Sequence, residues 1–495
     1  MKIGTLLITT CIAAFISCDV NEQQDDLIYK ESYFSIKIDQ KIKDVFETLN
    51  LSSGITIGVL HRDTILLAKG YGYSHLNEQI KMTATTPFYN ASSTKAFTSV
   101  LAAILEDKNF IDLNTSVKEY IPNLDMAIAY KEVDITLLDL LTHTHGVENI
   151  PSQLASAYTG YENSDQLIDI INKESYARES KDFRYSNLGP IIAAIAMEKV
   201  MNKSWKVLLK EYIFEPLEMQ NTSCFISDYE LKELVHSIDK NKKLNSYFDK
   251  TDKTMHPAGG MITTVEDMLK FLSVFTNNGY YKGKAFLSEE LLDKITKTQV
   301  KQDRNFRSLE RYAYGIGWDI ALLDDVKHIS RNGGFQLLAS QVSFIPDYNL
   351  AIVSLSNGPE RISYMIEEMI YNIYLDKFDE VKFQNFISSL QELTKRNDSI
   401  AMSIISNELN TNYKHNANVI SGTYTDEIWG TFKIYEKGSR LYGEWGDING
   451  EINANESESY TFDNRVFTRL FEYNQDKNTI TMPIFGDTII YEKVK

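Results

Sequence analysis

Two residues three positions apart carry the most chemistry in this chain: Ser92 and Lys95, in the run Phe88-Tyr-Asn-Ala-Ser-Ser-Thr-Lys-Ala-Phe-Thr98. On a helix that spacing puts both side chains on one face, a single turn apart. A serine hydroxyl is a poor nucleophile at neutral pH, and a lysine stripped of water is one of the few side chains able to take its proton. The pair therefore suits nucleophilic serine chemistry without a histidine. A second Ser-x-x-Lys, Ser237-Ile-Asp-Lys240, sits in the charged stretch from His236 to Lys243 with no apolar helix behind it. The first copy is followed by Ala96, Phe97, Val100, Leu101, Ala103, Ile104 and Leu105, which would anchor a buried helix, so the first is expected to act.

A second motif is Phe183-Arg-Tyr185-Ser-Asn187-Leu-Gly189. A phenol titrates near ~10 and is a spectator unless cations stabilise its anion. Beside a lysine it can shuttle a proton between serine and leaving group. Asn187 could offer its amide to a substrate carbonyl or hold Lys95. Tyr161-Glu-Asn163 is a rival copy, and context favours the later one because it opens the apolar helix after Gly189. The third motif is Ser330-Arg331-Asn332-Gly333-Gly334-Phe335, read as lying directly before a strand. Paired glycines let a backbone approach a ligand closely, and a freed N–H at a strand edge can serve an oxyanion. Arg331 adds a fixed positive charge that could bind a substrate carboxylate. The bland alternative is a turn with a solvated arginine.

The elements that must position these groups read as follows. Ile36 to Leu51 is an amphipathic helix. Gly54 to Leu60 and Thr64 to Lys69 are strands joined by the turn His61-Arg62-Asp63. Gly189 to Val200 and Val265 to Phe275 are buried helices. Phe335 to Ile345 and Leu350 to Leu355 are strands flanking the turn Pro346-Asp-Tyr-Asn349, and Tyr364 to Leu375 is a closing helix. Strands at both ends of a helical middle predict an α+β sandwich: an antiparallel sheet flanked by helices, with an all-helical subdomain. Residues 376–418 read as a polar helical linker or docking helix. Beyond them, 422–424, 430–435, 440–445, 460–462, 465–467 and 488–491 alternate in short runs between turn residues, which predicts a small antiparallel β-barrel or sandwich over 419–495.

The chain has 495 residues, enough for one large domain or two to three ordinary ones, and a formal charge of −17. That charge argues against nucleic acid or an anionic membrane face as partner. Met1-Lys2, the apolar run Ile3 to Phe15 and Ile16-Ser17-Cys18 read as a signal peptide over 1–17, too short to span a bilayer as a mature helix. Its end resembles a bacterial lipoprotein signal, although Phe15 stands where leucine is commoner. The expectation is a lipid on Cys18 and a polar tether over 18–30, the alternative being simple secretion with Cys18 incidental. The expected location is the Gram-negative cell envelope, in the periplasm or at the outer membrane. Cys11 would leave with the signal, so Cys224 would be alone, a packed residue with no structural disulfide available.

Taken together and in this order, the three motifs resemble the penicillin-recognising serine hydrolases, in particular the class C β-lactamase-like branch. That branch also holds D-aminopeptidases, D-alanyl-D-alanine carboxypeptidases, esterases and some acyltransferases. Ile135-Thr-Leu-Leu-Asp-Leu-Leu-Thr-His-Thr-His-Gly146, Phe214-Glu-Pro-Leu-Glu-Met219, Gly259 to Asp267 and Tyr314-Gly-Ile-Gly-Trp318 match its other landmarks. The likeness runs from about Ile36 to Leu375, within a catalytic domain placed at 31–375. The segment Gly422 to Tyr491 looks like a lipocalin-like domain appended to some members.

The resemblance implies Ser92 as nucleophile, Lys95 as its proton acceptor and Tyr185 as general base or acid, with Asn187 as substrate and lysine ligand. The Arg331-Asn332-Gly333 segment lies where the family has Lys-Thr-Gly or His-x-Gly. The backbone N–H groups of Ser92 and Gly334 would form the oxyanion hole. No metal or organic cofactor is implied, and the partner is a small molecule or short peptide. Arg331 and Asn332 depart from the family's lysine and threonine, which weakens an antibiotic-resistance reading. His145 stands where serine is usual. His143-x-His145 invites a metal, but two loop histidines without acidic or cysteine partners are thin.

Overall fold

The computed structural model describes residues 27–30, 32–126, 134–178, 180–238, 245–246, 250–358, 360–392, 417–438, 440–456, 459–463, 468–484 and 487–494. Cys11, Cys18, Lys240, the expected strand at 465–467 and residues 393–416 of the expected linker lie outside them.

One nine-stranded sheet organises the first part of the chain. Its strands are β1 (Ile28–Tyr29), β2 (Ile55–His61), β3 (Thr64–Tyr71), β4 (Val300–Phe306), β5 (Leu309–Tyr314), β6 (Asp319–Leu323), β7 (Val326–Phe335), β8 (Leu338–Ile345) and β9 (Leu350–Ser356). Their spatial order is β1-β3-β2-β9-β8-β7-β6-β5-β4. All neighbours are antiparallel except β1 and β3. Strands β8 and β9 are buried along their whole length, as a sheet covered on both faces requires.

Helix α1 (Tyr33–Leu49) starts at a capping box between Ser32 and Ser35 and ends at Asn50 in the left-handed region, with φ 46°. Its Ile38, Ile42 and Val45, spaced i, i+4, i+7, pack on Ile57, Val59 and Ile352, together with Ile366 and Ile370 of the closing helix α5 (Glu360–Tyr374). Each such burial contributes about 1.5–3 kcal/mol. On the opposite face α4 (Val265–Thr276) lies against β2 and β9. Gly58 permits that approach, because a Cβ there would stand 2.7 Å from Val265 Cγ1 and 2.9 Å from Leu269 Cδ2.

Between β3 and β4 comes the helical middle, including α2 (Thr94–Asp107) and α3 (Leu188–Met201). Thr94 to Leu105 of α2 are all buried, so this helix is a fixed support. Residues 380–392 form a further helix. Its Phe383, Ile387 and Leu390 join the core of α1 and α5.

Two expectations change. The Arg331 to Gly334 stretch is the end of strand β7, not a loop before one. It pairs residue by residue with β8, from Arg331↔Val342 to Phe335↔Leu338, and turns at Gln336, whose φ is 55°. Glycine pairs weaken the strand signal of a sequence, but the backbone ladder to β8 overrides it. Strands β4, β5 and β6 also went unforeseen: β4 reads Val-Lys-Gln-Asp-Arg-Asn-Phe and sits at the sheet edge, where no apolar run is needed.

Eight antiparallel strands between Gly422 and Lys493 close into a barrel. Three of them, Ile448–Glu456, Thr468–Asn474 and Thr479–Ile484, were not expected. Only alternate residues such as Ile448, Ile452, Ile480 and Met482 turn into the barrel core with Phe432, Trp445 and Phe462, so the surrounding polar positions mask them. Leu154, from the helical middle, is buried in that same core. The turn at Gly446-Asp447 docks beside it: the Asp447 N–H donates to Thr159 O at 2.9 Å, and its carboxylate accepts from Thr251 Oγ1. No helix among the described residues is long and apolar enough to cross a membrane. Cys224 is buried, and burial pushes its thiol up.

Candidate active site

Ser92 lies in a short 3-10 turn, Ala91–Ser93, that feeds directly into α2. Ala91 has a φ of 45°, a left-handed conformation that costs a side-chain-bearing residue about 1–2 kcal/mol. Contacts on both sides hold the turn there. Ser93 Oγ donates to Arg331 O at 3.1 Å and lies 2.8 Å from Ser340 Oγ, which in turn donates to Asn90 O at 2.7 Å. Gly333 completes the seam: a Cβ there would stand 2.5 Å from Asn90 O and 2.7 Å from the Ser92 nitrogen. Strand β7 thus presses its backbone against the serine turn.

One turn on, Lys95 is 1% exposed. Its Nζ lies 3.2 Å from Ser92 Oγ, 2.7 Å from Asn187 Oδ1 and 2.7 Å from Ala258 O. Asn187 caps the start of α3, and its backbone N–H donates to Gln153 Oε1 at 3.2 Å. No carboxylate is among these partners. Burial therefore dominates and brings the amine down to about 8.

Tyr185 stands on the other side of the lysine, which lies 4.8 Å from the ring centroid; the Arg331 guanidinium lies 4.7 Å from it. The phenol hydroxyl is buried and has no partner in full hydrogen-bond geometry among the described residues, although Lys95 and Ser92 both face it. Burial pushes the phenol up, but the Arg331 and Lys95 charges outweigh burial and bring it down to about 8. His143 packs edge-on against Tyr185 at 4.8 Å. Its Nδ1 accepts the Ser186 N–H at 3.4 Å, which leaves Nε2–H to donate to Tyr314 Oη at 3.2 Å. Burial, then the Arg331 and Lys95 charges, keep this imidazole neutral. His145 Nδ1 accepts from the Val147 N–H at 3.2 Å. Both histidines hold loops, and they form no group of three with Cys, Asp or Glu among the described residues.

Arg331 sits behind the site. It is 4% exposed, its Nε donates to Ser92 O at 3.3 Å, and its Nη1 donates to Asp319 Oδ2 at 3.0 Å. The same buried carboxylate meets Arg311 at 3.5 Å and Arg304 at 3.4 Å. Three guanidiniums on one carboxylate leave a net positive field under Tyr185. Asn332 points the other way, its Oδ1 accepting from Arg311 Nη2 at 2.8 Å.

In front of Ser92 opens a cleft of about 320 Å³, walled by Asn187, Gly334, Phe335, Tyr158 and Lys250 among others. Of the eight residues expected to do chemistry or bind substrate, Ser92, Asn187 and Gly334 line it. Lys95, Tyr185, Arg331 and Gly333 stand immediately behind, and Asn332 is turned away. The sequence did not point to Asp319, Ala258 O or Lys250. The only available signal was the proximity of Ala258 and Asp319 to the Gly259 and Tyr314 landmarks.

A family model described as Beta-lactamase matches residues 42–371. The unguisins hydrolase ungD' of Aspergillus campestris is 25% identical over 333 residues, which cover 64% of this chain and 61% of that protein. The chain thus spans less than two thirds of that curated relative. Among solved structures, the octameric penicillin-binding protein homologue from Pyrococcus abyssi superposes with a TM-score of 0.58 at 19% identity, covering 92% of this chain and 99% of the other. The D-amino acid amidase of Ochrobactrum anthropi SV3, in complex with D-phenylalanine, has a TM-score of 0.58 at 15% identity, covering 69% and 100%. These likenesses show a common fold, and the first extends beyond the family-matched stretch.

Proposed function

Because this chain belongs to the beta-lactamase family, we propose that it is a serine hydrolase that opens a small ester or amide through an acyl-enzyme on Ser92. The surroundings of Lys95 carry the reading. A neutral amine offers two N–H groups and one lone pair. Asn187 Oδ1 and Ala258 O take the two N–H groups, and the lone pair is left for the Ser92 hydroxyl. With the amine held near 8, roughly a tenth of it is neutral at pH 7.

Ser92 Oγ bonds to the carbonyl carbon as its proton passes to Lys95 Nζ. The carbonyl electron pair moves onto oxygen, received by the backbone N–H groups of Ser92 and Gly334. Tyr185 relays the proton from Lys95 to the departing alcohol or amine as that bond breaks. A water then gives its proton to the Tyr185 phenolate and attacks the acyl carbon, and as the bond to Ser92 Oγ breaks that proton passes on to the serine oxygen, which restores the hydroxyl and the phenolate and releases the acid. The steps draw on no cofactor. An alcohol or amine in place of water would make the same site an acyltransferase.

Small D-amino-acid peptides and esters are the leading substrates, and the D-amino acid amidase neighbour supports that order. The cleft of about 320 Å³ is at the small end for ligand sites, which run to about 1,000 Å³. β-Lactams come last, since Asn332 is turned toward Arg311. Labelling with a fluorophosphonate is the test. An adduct on the wild-type protein that vanishes in Ser92→Ala supports the reading, and absence of any Ser92-dependent adduct favours a non-catalytic binding protein.

The proposal includes export and a lipid on Cys18, since the apolar run Ile3 to Phe15 leads to a cysteine. Incorporation of labelled fatty acid that is lost in Cys18→Ser checks it.

A further inference from the structure

The cleft contains a second lysine. Lys250 is 6% exposed and shares the cleft wall with Ser92 and Gly334. Its Nζ lies 4.6 Å from the ring centroid of Tyr158, 4.7 Å from Phe335 and 5.8 Å from Tyr89. Among the described residues it makes one hydrogen bond, to Ala157 O, although an ammonium carries three N–H groups. No carboxylate among the described residues pairs with it, and burial alone pushes the amine down to about 7. A buried, uncompensated amine is costly, and a methionine would fill the same aromatic niche at no such cost.

Arg331, the expected partner of a substrate carboxylate, is committed to Asp319, Ser92 O and the Tyr185 ring. Among the described residues that line the cleft, Lys250 has no carboxylate partner. Tyr185, which would meet the leaving group, does not line the cleft that Lys250 shares with Ser92 and Gly334.

We propose that Lys250 receives a carboxylate on the acyl chain, so that this enzyme prefers acidic acyl donors. The inference rests on the serine-hydrolase reading and deepens it. The charged oxygen supplies the missing counter-ion, its hydrogen bonds go to N–H groups that otherwise lack acceptors, and the three rings exclude water around the pair.

The test compares 4-nitrophenyl hydrogen glutarate with 4-nitrophenyl valerate, acyl chains of equal length that differ in the terminal carboxylate. The wild-type full chain is expected to favour the glutarate by about tenfold or more in kcat/KM. Lys250→Met should lower the glutarate-to-valerate ratio by about tenfold, mainly through KM for the glutarate, and Lys250→Arg should retain most of the preference. A ratio that Lys250→Met leaves unmoved overturns the proposal while the hydrolase reading stands. If neither ester turns over faster than with Ser92→Ala, the hydrolase reading fails instead. Calorimetric titration of glutarate into the Ser92→Ala protein then decides on Lys250. Binding weakened about tenfold by adding Lys250→Met supports the site; absent or unchanged binding overturns it.

Discussion

Asn187 Oδ1 lies 2.7 Å from Lys95 Nζ, closer than the 3.2 Å between that nitrogen and Ser92 Oγ. The amide pins the amine without bringing a charge that would hold a proton on it. Asn187→Asp brings that charge. An opposite charge favours the ammonium, so Lys95 should rise from about 8 and be neutral only at higher pH. In the pH profile of kcat/KM, the limb that reports Lys95 should move up, with about a tenfold loss at pH 7 for each unit of rise. An unmoved midpoint would contradict the lysine's role as proton acceptor.

Tyr185→Phe removes the relay while keeping the ring that packs on His143 and Arg331. Loss of a positioned acid–base group should cost about 10²–10⁴ in kcat, with the Ser92 adduct still forming slowly. The phenolate also raises the Lys95 pKa against the effect of burial, so its removal should shift the lysine limb to lower pH. A shift upward would mean the two groups are not coupled as described.

Two adjacent glycines should behave differently. A Cβ on Gly333 would meet backbone and hydroxyl oxygens at 2.5–2.6 Å, whereas one on Gly334 meets nothing nearer than Leu338 O at 3.9 Å. Gly333→Ala should destabilise the protein by about 1–3 kcal/mol and displace the serine turn, lowering its thermal midpoint and its labelling together. Gly334→Ala should fold at the wild-type midpoint. Equal midpoints for the two variants would contradict the packing of β7 on the serine turn.

The barrel braces the cleft wall through Asp447, which takes the Thr251 hydroxyl next to Lys250. Asp447→Ala keeps the backbone bond to Thr159 O at 2.9 Å and loosens the wall from one side. KM for 4-nitrophenyl hydrogen glutarate should rise severalfold with kcat held, while circular dichroism shows the barrel intact. An unchanged KM would detach the barrel from substrate binding.

The residues now brought together were legible where chemistry and spacing coincide in a short string. Ser92 and Lys95 are one turn apart on a helix whose burial is written in its own apolar residues, and Asn187 opens an equally apolar helix. Direction within a strand was less legible. The charge of Arg331 could be read, but strand alternation sends it under Tyr185 and sends Asn332 to Arg311. Asp319 and Lys250 were invisible for a different reason. Lys250 looks like an ordinary charged residue in a polar stretch and Asp319 like a lone acid before an apolar run, and only long-range packing buries Asp319 beneath three arginines and Lys250 among three rings. The polar strand β4 has no pattern until the sheet edge gives it one.

The most direct measurement is the intact mass of the protein, quenched in acid milliseconds after mixing with 4-nitrophenyl hydrogen glutarate. The expected result is a single added glutaryl group, mapped by peptide fragmentation to Ser92 and absent in both Ser92→Ala and Lys95→Met. A glutaryl group on any other residue, or turnover with no transient adduct in the wild type, would contradict an alcohol activated by its neighbouring amine.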